Sequence, residues 1–548
     1  MQCSRDRSYQ GNLNARTDRF ISQSVGGDVP ALRGQMSSRR VVLELPDVAA
    51  STFAGQAILF TLLNLMVRLD AYCPFIDVRL AEDVPRHPLI RLLEGGSLAG
   101  SLRAFFAPFP AASGRLSFSA PDPSPATADV RVRIAPAGSD AAAHSVWADG
   151  WIAYWNAAPV PPAHTECAAG TDDVPNAVGA HVAAGLAAAE VFKRLLLKAG
   201  VAKAVPVDSL VFSAFDYRLA DDGPNPPLPD AVDLEGVALV GAGGIGAAFA
   251  AAASALPGIS GAFDIVDRDA LDEEGTNLNR HLVSRPGDEG KVKVSLCRRA
   301  LAFHGGVRVH ETWYDDYARV HGVPGIAIVG VDKDPVRREI QESLPRLVLN
   351  AGTSDTGGFQ VTRHDFLVGA CLSCIARADL QQDHPAERSL AARLGLSLED
   401  VFRYQESGEP VPESVLRAGG KLPAESLGRF AGKPLAEIRM GACADVMLAD
   451  GPQEEAVSVS FLSALPGFLL LGEVIRARHF PGSLYPAAAI ANAAAGRSNH
   501  SALSVLGVPN DALLRSWRAK REGCDCTRDA YRNAYARRWP EATVGAGE

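Results

Sequence analysis

The stretch that most constrains this chain runs from Val237 to Phe263. It carries no charged residue and crowds four glycines into Gly241, Gly243, Gly244 and Gly246. A run of that length is long enough to cross a membrane. The glycines lie between two β-rich runs, however, and Pro257, Gly258 and Gly261 follow. A buried strand, a glycine turn and an Ala-rich buried helix account for the pattern better. Glycines placed at the end of a strand and the start of a helix let backbone N–H groups approach a phosphate. Asp267 ends the next β-like run, where an acidic residue binds ribose hydroxyls. NAD- and FAD-binding proteins share this arrangement, so by itself it specifies a nucleotide and not a reaction.

The remaining sequence sets the frame. At about 150 residues per domain, a length of 548 allows three to four domains. A net charge of −9 gives no overall basic field, which argues against nucleic acid and membrane surfaces as partners. The first residues have no apolar signal-like run, and a cytoplasmic protein is expected. Residues 1–38 read as a polar arm. From 39 to 220 come β-like runs at Val41–Leu45, Ile76–Leu80, Val130–Ile134 and Val146–Trp155, an apolar helix from Phe53 to Asp70 and a long Ala-rich helix from Asn176 to Lys198. The Pro-rich stretch at 221–232 can hold neither helix nor central strand and reads as a linker. From 233 to 548 the order strand, turn, helix, strand returns, and a long apolar helix is expected from Glu455 to Arg478. Strands alternating with helices imply an α/β fold with mostly parallel sheets, and the two halves read as a pseudo-repeat. Between about 378 and 443 the pattern breaks into short charged helical stretches, an insertion on the second half.

Chemistry concentrates after the glycine turn. Asn277-Leu-Asn-Arg280, then Gly290-Lys-Val-Lys293, then Asp332-Lys-Asp-Pro-Val-Arg337 follow Asp267 in order. A dehydrogenase needs no Arg and Lys beside the phosphates and no carboxylate after a later strand. An adenylating enzyme does: the cations neutralise charge on a triphosphate, and an Asp holds a bridging Mg²⁺. In these motifs the sequence resembles the ThiF/MoeB/ubiquitin-activating superfamily over about Asp233 to Arg528, with Lys333 standing where the family has Asn. The resemblance implies two Rossmann-like ThiF-type adenylation domains. The first, with Pro46–Ala50 in place of a glycine loop, would be inactive and the second active. It implies ATP and Mg²⁺ as ligands, with Asp267 on the ribose, Asn277, Arg280 and Lys293 on the triphosphate and Asp332 on the metal. It also implies an arginine reaching ATP from near the N-terminus of the inactive domain; Arg16 and Arg19 are the candidates.

Four of the nine cysteines form two close pairs, Cys371-Leu-Ser-Cys374 and Cys524-Asp-Cys526. Two chelating pairs complete a tetrahedral thiolate site for Zn²⁺. Cys443, before the last long helix, corresponds to the crossover-loop cysteine of the family and is the candidate nucleophile for a thioester. The resemblance thus implies activation of a ubiquitin-like protein and transfer to a ubiquitin-conjugating-type enzyme, and leaves a homodimer open. The Ala- and Arg-rich composition points to a GC-rich bacterial genome and, by resemblance, to a conjugation operon with an antiviral role. Two alternatives stand beside this one. The first is sulfur transfer to a carrier protein, whose enzymes are compact and single-domain. The second is an NAD-dependent oxidoreductase or nucleotide-binding scaffold, which leaves Arg280, Lys293 and Asp332 unexplained.

Overall fold

Runs of Val, Ile and Leu flanked by turn residues become strands, and the apolar runs between them become the helices that cross from one strand to the next. The computed structural model describes residues 13–22, 28–110, 114–120, 128–136, 143–157, 175–201, 204–353, 357–376, 390–391, 394–407, 409–421, 427–428, 430–435, 459–485, 497–505 and 513–543. The first sheet holds β1 (Arg40–Glu44), β2 (Phe75–Arg79), β3 (Leu116–Ser119), β4 (Val130–Ile134), β5 (His144–Asp149), β6 (Ile152–Trp155) and β7 (Leu210–Ser213). Its order is β3-β2-β1-β4-β5-β6-β7, parallel up to β5 and antiparallel beyond.

Among the described residues ten strands follow: β8 (Val232–Asp233), β9 (Val237–Val240), β10 (Ile259–Ser260), β11 (Phe263–Val266), β12 (Val307–His310), β13 (Ile326–Val329), β14 (Leu347–Thr353), β15 (Gly358–Asp365), β16 (His500–Ser504) and β17 (Leu513–Ser516). β8 and β10 pair with each other. The others form the second sheet in the order β12-β11-β9-β13-β14-β15-β16-β17. Without its edge strand β17, this order matches the first sheet strand for strand. The change from parallel to antiparallel also falls at the same step, β14 to β15.

Four helices lie at the centre. Phe53–Val67 packs on Ala177–Lys198, which packs on Ser460–His479, which in turn packs on Gly244–Ala253. Ala177–Lys198 also rests on β5 and β6, and Ser460–His479 on β14 and β15, so one apolar core runs through both sheets. Glycine permits the close crossings. A Cβ at Gly185 would stand 2.7 Å from the Leu465 side chain, and one at Gly467 only 2.4 Å from the Ile245 carbonyl oxygen. The helix Ser460–His479 is long and apolar enough to span a membrane but is 94% buried within the protein. The uncharged stretch 237–263 is β9, a helix, β10 and β11.

Three expectations fail. The segment read as a polar arm is folded where it is described: residues 13–20 and Val29–Met36 are helices, and the apolar Leu13, Phe20, Ile21, Leu32 and Met36 are buried in the main core. Val146–Trp155 is not a single strand but the antiparallel pair β5 and β6. The reversal needs Gly150, which sits at φ +55° with Asn225 against the space a Cβ would take. The last long helix also starts at Ser460 rather than Glu455.

By packing, the chain divides into Met1–Ala376 with Ala456–Glu548, and Arg377–Glu455. Both sheets belong to the first unit. The second, where an insertion is expected, contains the helices Leu398–Ser407 and Glu413–Gly419 around its own small core of Leu394, Val401, Val411, Leu416 and Phe430.

Candidate nucleotide site and cysteine cluster

The C-terminal ends of β9, β11 and β13 are neighbours in the second sheet, and the residues that follow them meet there. After β9 the chain turns at Gly241, with φ +95°, and enters the helix Gly244–Ala253 through Gly243, which has no side-chain cap. The first N–H groups of that helix are therefore free of a capping side chain and available to an anion. The turn is tight. A Cβ at Gly246 would lie 2.1 Å from the Gly241 carbonyl oxygen, and one at Gly241 about 3.0 Å from Val331, in the loop after β13.

Asp267, just past β11, accepts the Ala242 N–H at 2.7 Å and the Asp269 N–H at 2.8 Å. Burial pushes its carboxyl pKa up, against the lowering effect of those N–H groups and of nearby Lys293. Its exposed-side neighbour Arg268 lies over the ring of Trp313, 4.3 Å from the ring centre, at the end of β12. Lys293 opens the helix Lys293–Ala300 and reaches Asp269 at 3.2 Å. Asn277 lies in the single turn Thr276–Asn279, whose N–H groups are capped by the Asp272 carboxylate. Arg280 ends that turn, and its Cδ is 3.0 Å from where a Gly244 Cβ would be. Asp332 is exposed in the loop between β13 and the helix Asp334–Glu342. Arg337 braces that loop by donating to the Val331 carbonyl at 2.7 Å and to Asp334 at 2.6 Å.

Arg16 is half-buried on the helix 13–20. Its neighbour Thr17 accepts a hydrogen bond from Asn279 at 3.0 Å, which sets this N-terminal helix beside the Asn277–Arg280 turn. Arg19 is half-buried on the same helix. Sequence reading missed two contributors. His281 is buried; its Nε2 lies 3.0 Å from the Ala242 carbonyl oxygen, and burial depresses its pKa to about 3, so it is a neutral donor there. Arg68 reaches the same segment from the first half. The sequence marks it only as an arginine directly after the uncharged run Phe53–Val67, which does not indicate its partners.

The four cysteines form a second centre. Cys371 precedes the short helix Leu372–Ile375 and Cys374 lies within it; Cys524 precedes the turn Asp525–Thr527 and Cys526 lies within it. All four are buried, with their sulfurs within 4.8 Å of one another and closest pairs at 3.5, 3.6 and 3.7 Å. A tetrahedron with metal–sulfur bonds of about 2.3 Å has edges of about 3.8 Å, so the donor set fits one ion. The Arg521 N–H points at Cys374 Sγ from 3.3 Å, as outer-shell donors to thiolates do. The paired segments meet Phe366, Leu344 and Tyr535, tying the C-terminal helix Asp529–Arg538 to the sheet. Of the other cysteines, Cys73 and Cys297 are buried thiols, Cys297 with its pKa pushed up to about 12 by desolvation. Cys443, Cys3 and Cys167 lie outside the described residues.

A family model falls on the first half. Residues 40–207 match the BilD N-terminal domain. A curated relative, the uncharacterized protein y4jF of Sinorhizobium fredii, is 29% identical over 312 residues, covering 54% of this chain. The chain spans 59% of that relative's length. Among solved structures, Escherichia coli MccB with ATP aligns with a TM-score of 0.31 at 14% identity, over 53% of this chain and 65% of that one. The microcin C7 biosynthetic enzyme MccB with N-formylated MccA gives 0.32 at 15%, over 54% and 66%.

Proposed function

We propose that this chain activates the C-terminal carboxylate of a ubiquitin-like protein by adenylation with ATP. The observation that carries the reading is one cluster: a side-chain-free helix N-terminus, Asp267, Arg280, Lys293 and Asp332 around adjacent strand ends. Phosphates would lie on the N–H groups of Gly243 and Gly244, where no Cβ intervenes. Arg280, Lys293 and Asn277 would neutralise and orient the triphosphate, with Arg16 approaching from the N-terminal helix. Asp267 would accept from the ribose hydroxyls. Asp332 would hold Mg²⁺, whose positive charge would offset that of the phosphates.

The chemistry then follows from charge. A carboxylate oxygen attacks the α-phosphorus, the bond to the bridging oxygen breaks, and pyrophosphate leaves. The Cys443 thiolate next attacks the acyl carbon; a C–S bond forms as the C–O bond to AMP breaks. A ubiquitin-conjugating-type enzyme would accept the acyl group from that thioester. An NAD-dependent reaction gives Arg280, Lys293 and Asp332 nothing to do. Zn²⁺ in the four-cysteine cluster would be structural, with no open position.

The test is exchange of radiolabelled pyrophosphate into ATP, dependent on the ubiquitin-like protein and indifferent to NAD. Asp332→Ala should abolish the exchange, and Cys443→Ala should retain it but lose the thiol-sensitive adduct on a non-reducing gel. Full exchange by Asp332→Ala sinks the metal assignment. A reducible adduct on Cys443→Ala moves the nucleophile to another cysteine.

A further inference from the structure

We propose that Arg68, a residue of the first half, is the positioning residue for the nucleotide loop of the second half; the inference rests on the nucleotide reading of that loop. The segment 276–284 has one helical turn and no sheet ladder, so its buried carbonyls need donors from elsewhere. Arg68, fully buried at the end of the helix Phe53–Val67, supplies them. Its guanidinium donates to the carbonyls of Leu278, Leu282 and Ser284, the last at 2.7 Å. Asn64 fixes the fork by accepting from Nε at 3.0 Å, and its own amide donates to the Leu282 carbonyl at 3.0 Å. The segment answers in kind, with the Asn279 amide donating to the Arg68 carbonyl at 3.3 Å.

What lies between the tied carbonyls gives the contact its meaning. Arg280 and His281 sit inside the span Leu278–Ser284. His281 donates to the Ala242 carbonyl, and the Ala242 N–H donates to Asp267. One guanidinium therefore sets, through backbone alone, the arginine aimed at the phosphates and the imidazole that fixes the glycine turn. A planar five-donor fork serves three carbonyls and the Asn64 side chain at once from three separate nitrogens, whereas a Lys ammonium has three donors on one nitrogen and cannot make all four bonds. Displacement of reacting groups by about 1 Å is enough to cost a large factor in rate or binding.

A second first-half arginine provides the control. Arg91 also donates across to the second half, to the carbonyls of Ser254, Leu256 and Pro257, beyond the far end of the helix Gly244–Ala253. It joins the halves without touching the nucleotide loop.

The experiment measures pyrophosphate exchange in the full chain against ATP and against the carrier protein, for Arg68→Met, Arg68→Lys, Asn64→Ala and Arg91→Met. Arg68→Met should raise KM for ATP about tenfold or more while KM for the carrier stays within about twofold, with Arg68→Lys and Asn64→Ala intermediate. Arg91→Met should lower the unfolding midpoint without moving KM for ATP. Hydrogen exchange without nucleotide should lose protection over 276–284 in the Arg68 variants and in part in Asn64→Ala, but not in Arg91→Met. If Arg68→Met does not fold, Arg68→Lys and Asn64→Ala decide. Unchanged KM for ATP in the folded Arg68 and Asn64 variants overturns the proposal, as does an equal rise in Arg91→Met. Failure of the wild type to bind ATP overturns the nucleotide reading instead. The hydrogen-exchange arm still reports on Arg68 in that case, and unchanged protection at 276–284 refutes it.

Discussion

Arg363 and Glu473 face each other with side chains fully out of water, Nε of the one 2.6 Å from Oε2 of the other. Arg476 and the hydroxyl of Tyr217 complete the shell of Glu473 at 3.1 and 2.7 Å. Tyr217 follows β7 of the first sheet and Arg363 lies in β15 of the second, so this buried charge cluster joins the two. Removing one charge of such a pair leaves the other desolvated and costs about 3–5 kcal/mol, whereas replacing both by apolar groups costs less. Glu473→Leu should therefore lower the denaturant midpoint more than the double variant Glu473→Leu with Arg363→Met. Equal or greater loss in the double variant would show that the pair contributes net stability.

The cysteine cluster predicts one zinc per chain by elemental analysis. Cys371→Ser should lose the metal and detach the C-terminal helix Asp529–Arg538, read as new protease cleavage there. Structural zinc contributes on the order of 10 kcal/mol of binding energy to folding, so chelation should cause a large drop in Tm. Unchanged Tm after metal removal would refute a structural ion.

The four glycines of the turn should not be equivalent. A Cβ at Gly246 would collide with the Gly241 carbonyl, whereas a Cβ at Gly243 meets nothing within 4 Å. Gly246→Ala should lower the unfolding midpoint and weaken ATP binding about tenfold or more, since the turn has to open. Gly243→Ala should keep the midpoint of the wild type. Its effect on ATP binding then reads whether a phosphate occupies the open space beside Gly243. Fluorescence titration with a labelled ATP analogue and thermal melts distinguish the two variants.

Acid should destabilise the fold early. Burial holds His181 and His364 neutral with pKa values of about 4, and His281 at about 3, below the ordinary 6.5. The unfolded chain takes up these protons as pH falls through 6.5 and the folded chain does not, so stability falls from there down to about pH 4. Asp288 and Asp264, held low against burial by Arg299 and Arg308, lose their contribution in the same direction as they protonate. Each such histidine contributes up to about 1.4 kcal/mol per pH unit within its window. Midpoints measured from pH 7.5 to 5 should drop in the wild type. The drop should be shallower in His181→Met, and an unchanged slope would contradict the buried neutral state.

Much of this was legible in residue order. Runs rich in Val and Ile marked β1, β2, β4, β9 and β11; β9, Val-Ala-Leu-Val, is free of charge as a strand buried on both faces requires, whereas β4, Val-Arg-Val-Arg-Ile, alternates apolar and charged residues. The glycine turn and the cysteine pairs were legible because their chemistry fixes their spacing. The hairpin of β5 and β6 was missed although Asp149-Gly150 is a turn signal, because the buried Trp151 directly after it resumes the apolar pattern. Arg68 was passed over for a different reason. It acts on backbone carbonyls more than two hundred positions away, and no side-chain pattern encodes such a partner.

The shared helical layer has a consequence for how the protein is made. The face of Ala177–Lys198 around Gly185 is covered by Leu465 and Phe468, which belong to almost the last long helix to be synthesised. At about 5–20 residues per second, tens of seconds separate their emergence from the ribosome. Throughout that interval an Ala- and Leu-rich surface waits uncovered on the nascent chain, a binding site for chaperones that disappears only when the C-terminal part arrives.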